Sequence, residues 1–166
     1  IPVGISACLQ GQEVRHDGGH KHSRYCTEVL SRYFDFHSLC PEMGAGLGAP
    51  RQAMHLVDTD QGVRLKATRG EQDFTDLMNG FVDRTLEGLA GLRGFVLMAK
   101  SPSCGMARIR VYREDGEVGR RDASGLFAAA LVAAILILVN LGALIAVAWR
   151  AEASAGWSAA DWAALR

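Results

Sequence analysis

The chain has 166 residues, balances 18 Lys and Arg against 18 Asp and Glu, and is 49% hydrophobic. That length suits one domain with a real core. The even charge gives no field to steer a polyanion, so no nucleic-acid partner is expected. Four cysteines, with no charged, cleavable leader before them, argue against an exported disulfide scaffold and for reduced thiols in the cytoplasm.

In chain order, Pro2 to Ala7 reads as a short buried strand with Cys8 at its exit, followed by a polar loop from Gly11 to His22 around Gly18-Gly19. Ser23 is placed to cap a helix that carries Cys26, Val29, Leu30 and Tyr33 on one face. Phe34 to Leu39 is a second strand. It ends at Cys40-Pro41-Glu42, because proline stops sheet pairing, and Gly44 to Pro50 continues as a backbone-permissive loop. Met54 to Asp58 and Val63 to Ala67 flank a turn and form a hairpin.

From Thr75, the apolar residues Leu77, Met78, Phe81, Val82, Leu86 and Leu89 keep helical spacing, and Gly91 or Gly94 ends the helix. Gly94 to Lys100 is a third buried strand that runs directly into Ser101-Pro102-Ser103-Cys104-Gly105, and Ile109 to Tyr112 is one more, turned at Asp115-Gly116. Alternating strands and helices indicate an α/β fold, three-layer, with a mostly parallel sheet. Such sheets bind ligands in the crevice beyond the carboxyl ends of their strands. Cys8, Cys40 and Cys104 all fall at strand exits, which makes them candidates for one shared metal site. Cys26, on the apolar helix face, reads as an inert buried thiol.

Residues 126–149 carry no charge, and Asn140 is their clearly polar side chain. About 20 apolar residues suffice to span a bilayer. Five arginines between 108 and 121 precede the stretch, whereas Arg150 and Arg166 follow it, so a spanning helix would leave the cysteine domain on the cytoplasmic side. The expected organisation is therefore an α/β domain over 1–125, an apolar helix and candidate membrane tether over 126–149, and a short tail over 150–166. The tail has Ser158 and Asp161 spaced as a capping box.

The wording around the cysteines is specific: Ser6-Ala7-Cys8-Leu9, Val14-Arg15-His16-Asp17-Gly18-Gly19, Cys40-Pro41-Glu42, Gly46-Leu47-Gly48-Ala49-Pro50-Arg51 and Lys100-Ser101-Pro102-Ser103-Cys104-Gly105. Together with Thr68, Asp73 and Thr75 these motifs closely resemble the thiouracil desulfurase family from about Val3 to Leu131; the apolar C-terminal helix departs from it. The resemblance implies a 4Fe-4S cluster held by Cys8, Cys40 and Cys104, with the fourth iron free to take the sulfur of a small thiolated pyrimidine. It also implies Glu42 as general base, with a water-orienting hydroxyl from Ser101 or Ser103, of which Ser101 is favoured. Arg15, His16, His20, Lys21, His22 and Arg24 make a basic, histidine-rich stretch, by default a solvated loop and alternatively a lid or substrate-binding segment whose turn is set by Asp17 and Gly18. His16 stands where relatives often carry tyrosine. Two other readings fit the residues: a zinc-dependent hydrolase with a three-cysteine site, against which the missing CxxC pair counts, and a non-catalytic, membrane-tethered module that binds a metal or cluster.

Overall fold

The computed structural model describes residues 1–134. Contacts gather Ile1–Leu131 into one compact unit. Its centre is a parallel sheet in the order β2-β1-β5, built from β1 (Pro2–Ser6), β2 (Asp35–Leu39) and β5 (Phe95–Val96). Ile5 is fully buried and Val3 nearly so, as a strand covered on both faces requires. A second, mixed sheet takes the order β4-β3-β6-β7, from β3 (Met54–Thr59), β4 (Gly62–Ala67), β6 (Ile109–Tyr112) and β7 (Val118–Ala123). The expected hairpin is present in register, Leu56 opposite Leu65, and β3 pairs in parallel with β6.

Helix α1 (Pro41–Gly44) is a single turn and α2 (Thr75–Thr85) is the long helix of the unit. Met78 of α2 buries itself among Leu56, Leu65, Ile109 and Val111, while Phe81 and Val82 meet Phe127. The start of α2 is tied to the hairpin through two side chains. Thr75 Oγ1 accepts the buried Leu65 N–H at 2.7 Å, and Asp73 accepts both Thr75 N–H at 2.9 Å and Arg64 Nε at 2.8 Å.

Three local expectations are corrected. The helix expected after Ser23 is a π-helical turn over Tyr25–Val29 followed by a 3-10 turn over Leu30–Arg32. These turns break the 3.6-residue period, so Cys26 is buried whereas Val29 and Tyr33 are exposed. Helix α2 ends at Thr85, and Glu87–Leu89 is a separate 3-10 turn. The third strand pairs only over Phe95–Val96; beyond it Met98 N–H leaves the ladder and donates to Ser6 Oγ at 2.9 Å.

Residues 126–134 are helical (α3). Among the described residues no helix is long and apolar enough to cross a membrane. The candidate span over 126–149 lies outside them from residue 135 onward, as does the tail over 150–166.

The start of α3 is welded to the Cys104 loop. Gly125 N–H donates to Gly105 C=O at 2.8 Å, Leu126 N–H to Pro102 C=O at 3.1 Å, and Ala128 N–H to Ser103 C=O at 3.2 Å. The free N–H groups of a helix end thus satisfy the carbonyls of the cysteine loop. A Cβ at Gly125 would lie 2.5 Å from the Ser103 carbonyl carbon and oxygen, and backbone cannot yield as a side-chain tip can. Gly125→Ala is expected to lower stability by about 1–3 kcal/mol, because it displaces the Cys104 loop. Thermal unfolding of the variant beside the unaltered chain checks this.

Candidate active site

Cys8 follows β1 directly, within the 3-10 turn Ala7–Gln10, and Cys40 follows β2 as the residue before α1. Because β1 and β2 are parallel neighbours, with Ser6 opposite Leu39, these two cysteines leave the sheet side by side. Cys104 reaches the same end of the sheet from the loop after β5. All three line one cavity of about 620 Å³, together with Ser6, Arg15, His16, Lys21, Glu42, Arg51, Met54, Met98 and Ser101. Cys26 is buried elsewhere and does not line it.

None of the four cysteines forms a disulfide. Burial pushes the Cys104 thiol up to about 12, and the negative charges of Glu42, Cys40 and Cys8 push the same way. Cys8 is raised first by burial and then by Cys40. Cys40 is raised by burial as well, an effect partly offset by the backbone N–H groups of Met43 and Glu42 that face its sulfur. Two buried thiols and one half-buried thiol, all raised above the ordinary value, make a site where a bound cationic group would favour the thiolate forms. Among the described residues no three His, Cys, Asp or Glu side chains are placed to hold a single metal ion.

In the metal-free protein Cys104 is expected to alkylate far more slowly than an ordinary thiol. With its value near 12, only about one molecule in 10⁴ carries the reactive thiolate at pH 8. Peptide mass spectrometry after timed iodoacetamide treatment, with Cys40 as the more accessible comparison, checks it.

Glu42 points into the same cavity and is held from both sides. Its Oε2 accepts Arg51 Nε at 2.9 Å and, more closely still, Arg51 Nη2. Its Oε1 accepts Ser103 Oγ at 2.9 Å and lies 3.5 Å from Ser101 Oγ. Both partners of the ion pair are largely shielded, with 7% of the Arg51 side chain and 13% of the Glu42 side chain exposed. The two serines differ in kind. Ser103 is fully buried and braces the carboxylate, whereas Ser101 lines the cavity. Ser101 Oγ accepts the Ser103 and Cys104 N–H groups at 3.1 and 3.0 Å, so its own proton is left to donate, either to Glu42 across 3.5 Å or to a water beside it in the cavity.

Of the basic, histidine-rich loop, Arg15, His16 and Lys21 reach the cavity wall; Asp17 and Gly18 do not. Asp17 instead shapes the turn. It accepts Gly19 N–H at 3.1 Å and Arg15 Nε at 3.3 Å, and the Gly19 N–H above all, then Arg15, holds its carboxyl below the usual range. Gly18 takes a positive φ of 75° there, where a side chain would be strained. Arg51 stands within one of the sequence motifs, which give it no task. No periodicity could have found it, since its partner is nine residues away across an irregular loop.

Residues 3–140 match the 2-thiouracil desulfurase family. The chain belongs to that family. Among solved structures it is similar to one described as a [4Fe-4S]-dependent thiouracil desulfidase, TudS, at 27% identity and a TM-score of 0.61, over 78% of this chain and 83% of that one. Comparison with curated proteins returns no match. The structural likeness agrees with the α/β fold expected from the sequence.

Proposed function

We propose that the chain hydrolyses the carbon–sulfur bond of a small thiolated pyrimidine, a thiouracil-like base or nucleoside, using a 4Fe-4S cluster bound by Cys8, Cys40 and Cys104. The observation that carries this reading is the meeting of three cysteines from three strand exits with Glu42 and Ser101 on one cavity. The donor set fits the group, since thiolates are the preferred ligands of iron–sulfur clusters. When bound, such a cluster supplies an iron without a protein ligand, a soft Lewis acid for a thiocarbonyl sulfur. Similarity to a structure described as [4Fe-4S]-dependent favours this cofactor over the single ion of a three-cysteine zinc hydrolase. Membership of an enzyme family likewise favours turnover over the non-catalytic, tethered module.

The protein groups supply the rest. Ala53, Met54 and Met98 are among the apolar residues of the wall and offer a surface for the pyrimidine ring. Glu42 Oε1 takes a proton from water as the oxygen attacks the ring carbon, and Ser101 Oγ, fixed by two backbone N–H groups, orients that water. Ser103 keeps the carboxylate in place. Arg15, His16 and Lys21 surround the heteroatom edge of the base, and Asp17 with Gly18 acts on substrate through the turn that sets Arg15. Water enters and the thiocarbonyl becomes a carbonyl as sulfide leaves, so no net electron transfer occurs.

The test is anaerobic reconstitution with iron and sulfide, followed by incubation with 2-thiouracil. Formation of uracil and sulfide in equal amounts without added reductant is expected. A fully loaded protein that leaves every thiolated pyrimidine unchanged would sink the proposal.

A further inference from the structure

We infer that Arg51 is the positioning residue for Glu42, turning its carboxylate so that one oxygen alone faces the serines and the cavity. This rests on the reading of Glu42 as the base that activates water.

The guanidinium has five N–H donors and no acceptor, and all five have a partner. Nε and one Nη2 proton go to Glu42 Oε2; the other Nη2 proton goes to Val14 C=O at 3.0 Å. The two Nη1 protons go to Gly48 C=O and to Met43 Sδ at 3.8 Å. The backbone N–H of Arg51 adds a bond to His16 C=O at 2.9 Å. One side chain therefore joins α1, the Gly48 loop and the Val14–His16 segment of the cavity wall. The Val14 carbonyl it holds also faces the Cys40 thiol at 3.9 Å.

An ion pair present only for stability gains little here, because removing two charges from water costs about as much as their attraction returns. What the arrangement adds is direction. With Oε2 saturated by Arg51, Oε1 is the oxygen left for Ser103, Ser101 and a water in the cavity. A lysine carries the same charge but has three donors on one atom and no planar fork, so it cannot hold the carboxylate plane and both carbonyls together. Misplacing a catalytic group by about 1 Å can cost on the order of 100-fold in rate.

Two measurements on the 166-residue chain decide the matter. The first does not depend on turnover: in nitrogen-15 NMR spectra of the anaerobic protein, Arg51 Hε is expected as an exchange-protected resonance that shifts on Glu42→Gln. The second compares Arg51→Lys with the unaltered chain at matched iron content, using 2-thiouracil. Arg51→Lys is expected to lose about 100-fold in kcat per cluster while KM changes by less than about threefold. Millimolar guanidinium is expected to restore part of the turnover of Arg51→Ala, and methylammonium none.

Wild-type kcat per cluster in Arg51→Lys, or activity lost only in proportion to iron, would overturn the inference. So would an Arg51 resonance indifferent to Glu42→Gln. If the loaded, unaltered chain turns over no thiolated pyrimidine, the proposed function fails while the NMR result still reports whether Arg51 holds Glu42.

Discussion

Alanine at Cys8, Cys40 or Cys104 is expected to abolish desulfuration and strip most of the iron, whereas alanine at Cys26 leaves both intact. All four are unpaired, and Cys8, Cys26 and Cys104 are comparably buried, so burial cannot separate them. Position does: three stand on one cavity at the carboxyl end of β2-β1-β5, and Cys26 stands in the π-helical turn away from it. Loss of an outer partner of a metal ligand already costs about 10–100-fold in affinity or activity, and loss of one of three ligands should exceed the upper figure. Cys26→Ala removes one small buried side chain and should cost about 1 kcal/mol of stability. Iron content and initial rates on the four single variants, prepared anaerobically side by side, make the comparison.

Glu42→Gln is expected to separate chemistry from cluster binding. The substitution keeps the shape of the side chain and all three cysteines but removes the proton acceptor, so the rate should fall by about 10²–10⁴ with iron and absorption per chain retained. It also leaves the shielded Arg51 guanidinium without its counter-charge, and breaking a buried pair costs about 3–5 kcal/mol. The variant should therefore melt earlier and is best assayed well below that transition. Ser103→Ala should behave differently from Ser101→Ala. Ser103 is fully enclosed and its hydroxyl braces Oε1, so its loss acts through the carboxylate. Ser101 faces the cavity, and its loss removes a hydroxyl that meets water.

The site was legible in the sequence where chemistry is written in short runs at strand exits. Cys8, Cys40 and Cys104 could be grouped because strands are recognisable from β-branched and aromatic residues and because parallel sheets put their loops on one side. The β3–β4 hairpin and the core face of α2 were equally readable, the first from its turn and the second from the spacing of Met78, Phe81 and Val82. Long-range geometry was not. The strand β7 carries Gly119, Arg120, Arg121 and Asp122 in succession, with no alternation to announce it, and pairs with β6 through register shifts. The division into two sheets depends on β3 and β6 lying side by side, which no local pattern states. The Arg51–Glu42 pair depends on the path of the Gly46–Pro50 loop, and the docking of α3 on the Cys104 loop depends on a glycine whose missing side chain matters only once its neighbour is known.

The central claim is that these three cysteines hold one iron–sulfur cluster. Iron and acid-labile sulfide should be counted on the anaerobically reconstituted 166-residue chain and on its Cys8, Cys40 and Cys104 triple-alanine variant. The account predicts about four of each per chain in the first, as expected for a 4Fe-4S cluster, and essentially none in the second. Equal iron in both proteins, or tightly bound zinc in place of iron in the first, would contradict it.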